Sequence, residues 1–147
     1  MTKELLPHEF TERLLPIFEH IERETGISGR NNPKHFFPAW QRMMSIGVAR
    51  TWENDGCVLG AIFTPELYSG KIQVHVIFWF SLPEARGTGR PHDLLDACES
   101  AAKNAGAFKI SSSAHVKSAP ARAAGAYLKR GYEETETLFT KNLSQGG

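Results

Sequence analysis

The sequence predicts an α/β fold, in which one domain of residues 1–147 holds a central mixed, twisted sheet flanked by helices, two of them N-terminal. Runs of helical spacing open the chain, and strand-like runs separated by short turns follow from Val48 to Phe80. The second half alternates helix and strand, which is typical of a sheet with parallel strands. No repeat, low-complexity tract or linker interrupts the chain, so a single domain is the economical interpretation.

Two helices are predicted before the sheet. Apolar residues recur at helical spacing from Phe10 to Ile21 and indicate an amphipathic first helix, with a kink allowed at Pro16 and an end at Gly26. The Asn31-Asn32 pair predicts a cap before a second helix that starts at Pro33. The apolar face of this second helix is typical of a core and consists of Phe36, Phe37, Trp40, Met43 and Met44.

Three antiparallel strands are expected next. The first two are predicted from Val48 to Trp52 and from Cys57 to Thr64, joined by a hairpin turn at Asn54-Asp55-Gly56. The third is expected from Lys71 to Phe80, with both faces largely apolar as in a central strand. Strict alternation would put Ile72, Val74, Val76, Phe78 and Phe80 on one face, and Gln73, His75, Ile77 and Trp79 on the other.

The second half of the chain contains two further helices and two further strands by pattern. A helix from Pro91 to Ala105 is expected to stop at Gly106 and lead into a strand from Ala107 to Ser113. A helix of small residues follows, about Ala119 to Arg130. The last element is expected to be a strand between Tyr132 and Leu143.

Composition limits the classes of function. The 147 residues are 41% hydrophobic and 22% charged, enough for one ordinary core. A net charge of +1 gives no general reason to expect a nucleic-acid partner. Basic residues outnumber acidic ones between Arg86 and Arg130, so a nucleic-acid-binding protein stays as a lesser alternative.

Metal binding and membrane insertion find no support in the sequence. Cys57 and Cys98 show neither a disulfide framework nor zinc-type spacing with the histidines, so no metal is expected. The N-terminus carries Glu4, Glu9 and Glu12 among its apolar residues, unlike a secretory signal, and no run approaches the roughly 20 apolar residues of a membrane helix. A cytoplasmic protein without a membrane partner is the expectation.

A glycine-rich turn, Pro83-Glu84-Ala85-Arg86-Gly87-Thr88-Gly89-Arg90, joins a predicted strand directly to a predicted helix. Glycines let a backbone approach a ligand closely, and the first N–H groups of a helix have no partner within it. Together with the helix dipole, these features favour an anion such as phosphate. The Gly-Lys-Ser/Thr ending of nucleotide hydrolases and the dinucleotide-binding glycine pattern are both missing.

The turn resembles the pyrophosphate loop of the GNAT superfamily of acyl-CoA N-acyltransferases, an Arg/Gln-x-x-Gly-x-Gly/Ala sequence usually preceded by Pro-Glu-x. Arg86, Gly87, Thr88 and Gly89 fit this pattern, whereas Pro91 falls where the last Gly/Ala is expected. The later segment from Ala126 to Tyr132 resembles the Phe-Tyr-x-Lys-x-Gly-Phe segment of the same family. The predicted order of helices and strands is also similar to that of the family.

The resemblance implies transfer of an acetyl group from acetyl-CoA to a primary amine by direct attack. Arg86 to Arg90 would hold the pyrophosphate, and the backbone from Trp79 to Leu82 would pair with the pantetheine arm. Tyr127 would protonate the leaving thiolate, since a phenol has a pKa of about 10. The implied cofactor-binding residues are Trp79, Phe80, Ser81, Leu82, Arg86, Gly87, Thr88, Gly89, Arg90 and Pro91.

No glutamate occupies the strand where many family members have their base, so the base falls to His75, with Glu66 as a weaker substitute. The region between the first two helices and the sheet often walls the acceptor pocket in the family. His35, Phe36, Trp40 and Glu66 are therefore the candidate substrate contacts. A small-molecule amine and a protein amine both remain open as acceptor, and a homodimer is compatible with the family.

Two prolines depart from the family pattern and support a second hypothesis. Pro91 has no N–H to offer the pyrophosphate, although proline suits a first helical turn. Pro120 stands near the position of an asparagine that often contacts the CoA arm in the family. The alternative is thus a non-catalytic GNAT-like binding module with a degenerate CoA loop.

Overall fold

The structure is a computed structural model that describes residues 1–25, 32–113 and 120–143. Contacts divide the chain into two compact units, Met1–Ser113 and Ala114–Gly147. The first unit holds the sheet and three helices. The second holds one helix and the C-terminal segment.

The first unit is built on a five-stranded mixed sheet of order β1-β2-β3-β4-β5. Its strands are β1 (Lys3–Glu4), β2 (Ala49–Asn54), β3 (Cys57–Pro65), β4 (Ile72–Ser81) and β5 (Lys109–Ser111). β1 to β4 pair antiparallel, and β5 runs parallel to β4. The helices of this unit are α1 (Phe10–Thr25), α2 (Pro33–Ser45) and α3 (Arg90–Asn104). The predicted fold class, a mixed sheet flanked by helices with two of them N-terminal, is confirmed.

The β2–β3 hairpin closes with the predicted Asp-Gly turn. Asn54 pairs with Cys57, so the loop consists of Asp55 and Gly56 alone. Both have positive φ, +29° at Asp55 and +88° at Gly56. Two-residue hairpin loops with positive φ match the twist of the flanking strands, which explains why Asp-Gly is selected here.

A β-bulge in β4 overturns the predicted assignment of its faces. Gly60 pairs with Phe78 while the adjacent Ala61 pairs with Val76, so Ile77 is an extra residue opposite no partner in β3. A bulge shifts every side chain beyond it to the other face. Val74 and Val76 therefore do not share a face with Phe78, contrary to the strict alternation expected from the sequence.

His75 lies on the same face as Phe78 because of this bulge. It is paired with Ile62, and Ile62 packs against the core formed by α1, α2 and this face of the sheet. Opposed residues on neighbouring strands point to the same side. The imidazole of His75 thus faces the α1–α2 layer.

The core beneath α1 and α2 is largely aromatic. The Phe18 ring meets the Phe78 and Phe80 rings edge to face at centroid distances of 5.2 and 5.4 Å. Trp40 is 2% exposed and lies 5.0 Å from Phe78. On the other face, α3 packs on β2, β3 and β4 through Leu94, Leu95, Cys98, Ala101 and Ala102.

The second unit contains α4 (Pro120–Lys129), which ends as predicted at a left-handed glycine. Gly131 has φ +89°, and its N–H donates to the Leu128 carbonyl. The final strand predicted from Tyr132 to Leu143 is wrong, since these residues form no strand. Residues 133–143 are all exposed, so this segment lacks the buried face that stabilises a strand.

Two smaller differences concern the N-terminal region. The sequence does not predict β1. This strand has only two residues, Lys3 and Glu4, and both are charged and exposed, so it shows no alternation of apolar and polar residues. Asn32 occupies the N-cap of α2 but makes no side-chain capping hydrogen bond. α1 continues through Pro16 to Thr25, while Gly26 and Asn31 lie outside the described residues.

Candidate active site

The glycine-rich turn connects the end of β4 to the start of α3 and has the conformation that glycine permits. Gly87 and Gly89 have φ of +75° and +86°, and Gly89 is the N-cap of α3. A β-carbon built at either position would meet no atom within 4 Å, so the space beside the turn is open. The two glycines are therefore required by backbone conformation, and they face a space that a ligand can enter.

The turn leaves backbone donors available at the start of α3. The Thr88 hydroxyl donates to the Ala85 carbonyl at 2.6 Å and accepts from the Arg90 N–H at 3.3 Å. Within the described ranges, the N–H groups of Gly87 and Gly89 have no protein acceptor. Exposed N–H groups at a helix N-terminus form an anion site. Pro91, two positions after Gly89, contributes no N–H group to it.

The two arginines of the turn differ in the charge they leave available. Nη2 of Arg86 lies 2.7 and 2.8 Å from the two carboxylate oxygens of Glu24 on α1. The same guanidinium donates to the Ser81 carbonyl from Nη2 at 3.1 Å and from Nε at 3.3 Å. This hydrogen bond to Arg86 lowers the pKa of Glu24 below its usual value and keeps the carboxylate charged.

Arg90 keeps its positive charge unpaired. Its Nη1 donates at 2.7 Å to the backbone carbonyl of Asp55, a neutral acceptor. No carboxylate of the described chain lies within salt-bridge distance of the guanidinium. Arg90, rather than Arg86, therefore supplies the net cationic charge at the turn.

The hairpin turn between β2 and β3 contacts the glycine turn and the residues just before it. The Leu82 N–H donates to the Gly56 carbonyl at 2.8 Å. A β-carbon at Gly56 would lie 3.6 Å from both Leu82 and Ala85, and Ala85 is completely buried. With the Arg90 contact to Asp55, these interactions fix the turn on a rigid element.

The side chains at the end of β4 have structural roles. The Trp79 indole donates to the Pro91 carbonyl at 3.0 Å, which ties β4 to the first turn of α3. Phe80 packs in the aromatic core, and the Ser81 carbonyl accepts from Arg86. A ligand would therefore contact the segment from Trp79 to Leu82 through its backbone, at groups that these interactions do not use.

The pairing of β4 with β5 ends at His75. β5 pairs with β4 only from Gln73 to His75, where His75 meets Ser111. β4 itself continues from there to Ser81. Within the described part of the chain, β5 thus does not pair with the segment from Val76 to Ser81.

The candidate acid and base are placed differently. His75 is half-buried and stands where the β4–β5 pairing ends, on the β4 strand that leads into the glycine turn. Tyr127 belongs to the second unit, on α4, where it is 8% exposed and its ring centroid lies 5.3 Å from that of Tyr132.

The candidate substrate residues on α2 are largely part of the core. Phe36 stacks on Trp40 at 5.8 Å with the rings 10° apart. The Trp40 indole donates to the Thr51 hydroxyl at 2.8 Å, so both its apolar and its polar parts are satisfied inside the protein. His35 is exposed. Trp40 thus offers a ligand almost no surface.

Glu66 lies at the end of the sheet opposite the glycine turn. β3 pairs with β4 from Cys57↔Ser81 at the turn end to Pro65↔Ile72, after which Glu66 follows. Its carboxylate is 2.8 Å from the Ser69 hydroxyl and 3.3 Å from Lys109 Nζ. The hydrogen bond from Ser69 lowers its pKa, which weakens Glu66 as a base. The structure does not bring Glu66 to the turn.

Sequence reasoning missed Glu24. It is one of several glutamates on α1, and nothing in the pattern distinguishes it from its solvated neighbours. Its contact with Arg86 joins residues that are 62 positions apart, which only the folded chain reveals.

No group of three or more His, Cys, Asp or Glu side chains that could hold a metal ion occurs among residues 1–25, 32–113 and 120–143. No helix in these ranges is both long and apolar enough to cross a membrane.

The glycine turn thus stands at the start of α3, and it follows the strand β4, whose pairing with the parallel β5 ends at His75. The acetyltransferase (GNAT) family profile matches residues 8–132. The chain belongs to this family.

Solved structures of similar fold are acetyltransferases. The aminoglycoside acetyltransferase HMB0005 from an uncultured soil metagenomic sample has a TM-score of 0.75 at 19% identity, with 98% of both chains covered. A predicted acetyltransferase from Clostridium acetobutylicum, solved with acetyl-CoA, has a TM-score of 0.75 at 20% identity over 97% of this chain and 96% of its own.

A third similar structure is the aminoglycoside acetyltransferase meta-AAC0020, also from an uncultured soil metagenomic sample, in complex with sisomicin. It has a TM-score of 0.76 at 14% identity over 98% of this chain and 96% of its own. At these identities the likeness shows the fold alone. No curated protein sequence matches the chain.

Proposed function

We propose that the protein is an N-acetyltransferase that moves an acetyl group from acetyl-CoA to a primary amine. One observation carries the proposal: two N–H groups without a protein acceptor, those of Gly87 and Gly89, stand at the start of α3 beside the unpaired charge of Arg90. Backbone donors, a helix dipole and a cation together fit a pyrophosphate.

The residues present fit the cosubstrate. The turn from Arg86 to Arg90 would hold the pyrophosphate, with Pro91 in the first turn of α3. Main-chain groups of Trp79 to Leu82, beyond the point where β5 stops pairing with β4, would pair with the pantetheine arm. Acetyl-CoA supplies an acyl group activated as a thioester. The amine nitrogen forms the new amide bond, the carbon–sulfur bond breaks, and the thiolate takes up a proton.

Two proton transfers are assigned to side chains. Tyr127 would give the thiolate its proton, and His75 would accept the proton that the amine loses. The family motif around Tyr127 supports the first assignment. The place of His75, where the parallel strands stop pairing, supports the second.

Structures of similar fold suggest which class of amine to test as the acceptor. Two structures of similar fold are aminoglycoside acetyltransferases, one of them in complex with sisomicin, which favours small polyamines as the first compounds to test. Protein amines come next. We also take residues 1–147 as one acyltransferase domain that can form a homodimer.

Calorimetric titration with acetyl-CoA tests the proposal. Gly89→Glu places a side chain and a negative charge in the open space beside the turn and should abolish binding. Gly47→Glu is the matched control, because Gly47 also has positive φ (+80°), is exposed and has open space around it, yet lies outside the turn. Binding by wild type and Gly47→Glu but not by Gly89→Glu is the expected result.

The alternative is a binding module without catalysis, which Pro91 favours because it removes one amide donor from the turn. Failure of the folded wild-type protein to bind acetyl-CoA would support this alternative. If acetyl-CoA binds, Tyr127→Phe and His75→Ala should each lower turnover of an accepted amine without weakening cosubstrate binding.

A further inference from the structure

Glu24 holds the first arginine of the glycine turn from a distant helix. The ion pair uses both carboxylate oxygens at 2.7 and 2.8 Å, and His20 approaches the same carboxylate at 3.2 Å. Nothing in the proposed reaction uses Glu24. A carboxylate fixed next to a turn that accepts an anion opposes that function and calls for an explanation.

The effect of Glu24 on the turn is mainly one of charge. Paired with Glu24, Arg86 adds no net positive charge for an incoming phosphate, and Arg90 is left to act alone. Two hydrogen bonds to the Ser81 carbonyl hold the guanidinium independently of Glu24. Removal of the carboxylate charge would therefore leave Arg86 near the turn as an available cation.

We propose that Glu24 sets the affinity of the glycine turn for phosphate anions, because it occupies the Arg86 guanidinium in the free protein and must release it when the anion binds. The inference rests on the proposed function, since acetyl-CoA is the anion concerned. Glu24 is in this view an affinity-determining residue that acts through Arg86 and touches no reacting atom. It keeps cosubstrate and product CoA from binding too tightly to leave.

The test is a double-mutant cycle read by calorimetry with CoA and, separately, with inorganic pyrophosphate. Glu24→Gln keeps the shape of the side chain and removes its charge, and should tighten CoA binding by about threefold to tenfold at low salt. In the Arg86→Gln background the same substitution should have a clearly smaller effect. Glu22→Gln is the matched control on α1, because Glu22 has no ion pair within the described residues.

Salt provides a second readout. The gain from Glu24→Gln should shrink as salt rises from about 0.01 M to about 1 M, where the screening length falls to about 3 Å. A structural role for the ion pair would instead lower the thermal stability of Glu24→Gln and weaken binding.

Each outcome is decisive. Unchanged or weaker CoA binding by Glu24→Gln overturns the inference, and so does an equal gain with and without Arg86, since Glu24 would then act as a remote charge. Absence of CoA binding by the wild type and every variant overturns the proposed function instead. In that case, tighter pyrophosphate binding by Glu24→Gln alone would still support the role of Glu24, and no gain would refute it.

Discussion

Gly60 occupies a position in β3 that leaves no room for a side chain. Its partner across the sheet is Phe78, and an added β-carbon would lie within 2.8 Å of Phe78 Cε2 and closer still to other atoms of that ring. The ring also packs against Trp40 and Phe18, so it has little freedom to move.

Gly60→Ala should therefore lower the free energy of unfolding by about 1–3 kcal/mol, the usual cost of overpacking a core. Urea unfolding followed by tryptophan fluorescence would measure the change. Gly125→Ala is the control, since this helical glycine has open space and no positive φ, and should leave stability unchanged or raise it by about 0.5–1 kcal/mol. Equal effects of the two substitutions would contradict the packing argument.

The buried thiol of Cys98 provides a second prediction at this scale. Burial is the main cause that raises its pKa to about 12, with the nearby Glu99 adding to the effect. The folded protein should therefore show no reaction of Cys98 with a thiol reagent at pH 8, whereas unfolding in urea should expose it. Rapid labelling in the native state would show that α3 opens readily.

The raised pKa also fixes the sign of a pH effect. The Cys98 thiol loses its proton less easily in the folded protein than in the unfolded chain, whose thiol has a pKa of about 9.0. Its contribution to the free energy of unfolding is therefore fully present below pH 9.0, and it is lost as the pH rises towards the folded pKa of about 12. Cys98→Ser should accordingly reduce the decline in stability between these values.

At the scale of elements, the start of α3 is where Pro91 matters. The fixed φ of Pro91 suits the first turn of a helix. Its carbonyl accepts a hydrogen bond from the Trp79 indole, and any other residue at this position would keep that carbonyl. Its missing N–H takes one possible donor away from the turn as an anion site.

Pro91→Ala should restore a donor and tighten acetyl-CoA binding by about tenfold or more, because a hydrogen bond to a charged group is worth about 1.5–3 kcal/mol and about 1.4 kcal/mol is a factor of ten. Calorimetry would measure it. Pro33→Ala is the control, since Pro33 also lies in the first turn of a helix, α2, but far from the glycine turn in sequence. Weaker binding by Pro91→Ala would mean that the rigid ring matters more than the lost donor.

Element prediction from the sequence succeeded where local chemistry decides the structure. The Asp-Gly hairpin, the glycine turn and the helix ends at Gly106 and Gly131 all follow from residues that permit positive φ. It failed in β4 because a bulge depends on how two strands pair, and both Ile77 and its neighbours are apolar. It failed at Tyr132 to Leu143 because a strand needs partners as well as composition.

For the whole molecule, the sheet and the C-terminal segment differ in how their backbone amides are protected. β3 pairs on both edges and is buried along Cys57 to Ala61, whereas residues 133–143 are exposed and outside any strand. Hydrogen exchange should thus be slowest in β3 and fast in residues 133–143. Slow exchange in this segment would mean that it pairs in solution.

The candidate site could be predicted in outline only. The turn from Arg86 to Arg90 was found from the sequence because its glycines and its place before a helix are visible there. The different states of Arg86 and Arg90 could not be found, because they depend on Glu24 and on the Asp55 carbonyl, both remote in sequence. The role of Tyr127 stays a prediction.

The extra residue at Ile77 affects how this chain should be compared with its distant relatives. His75 and Phe78 are an odd number of positions apart and still face the same side, so an alignment that slides a one-residue gap across Ile77 would interchange the inward and outward positions of half of β4. At identities below 20%, such a gap is easily misplaced. The residues of relatives that correspond to His75 are therefore better found by matching the bulge first and counting positions from it.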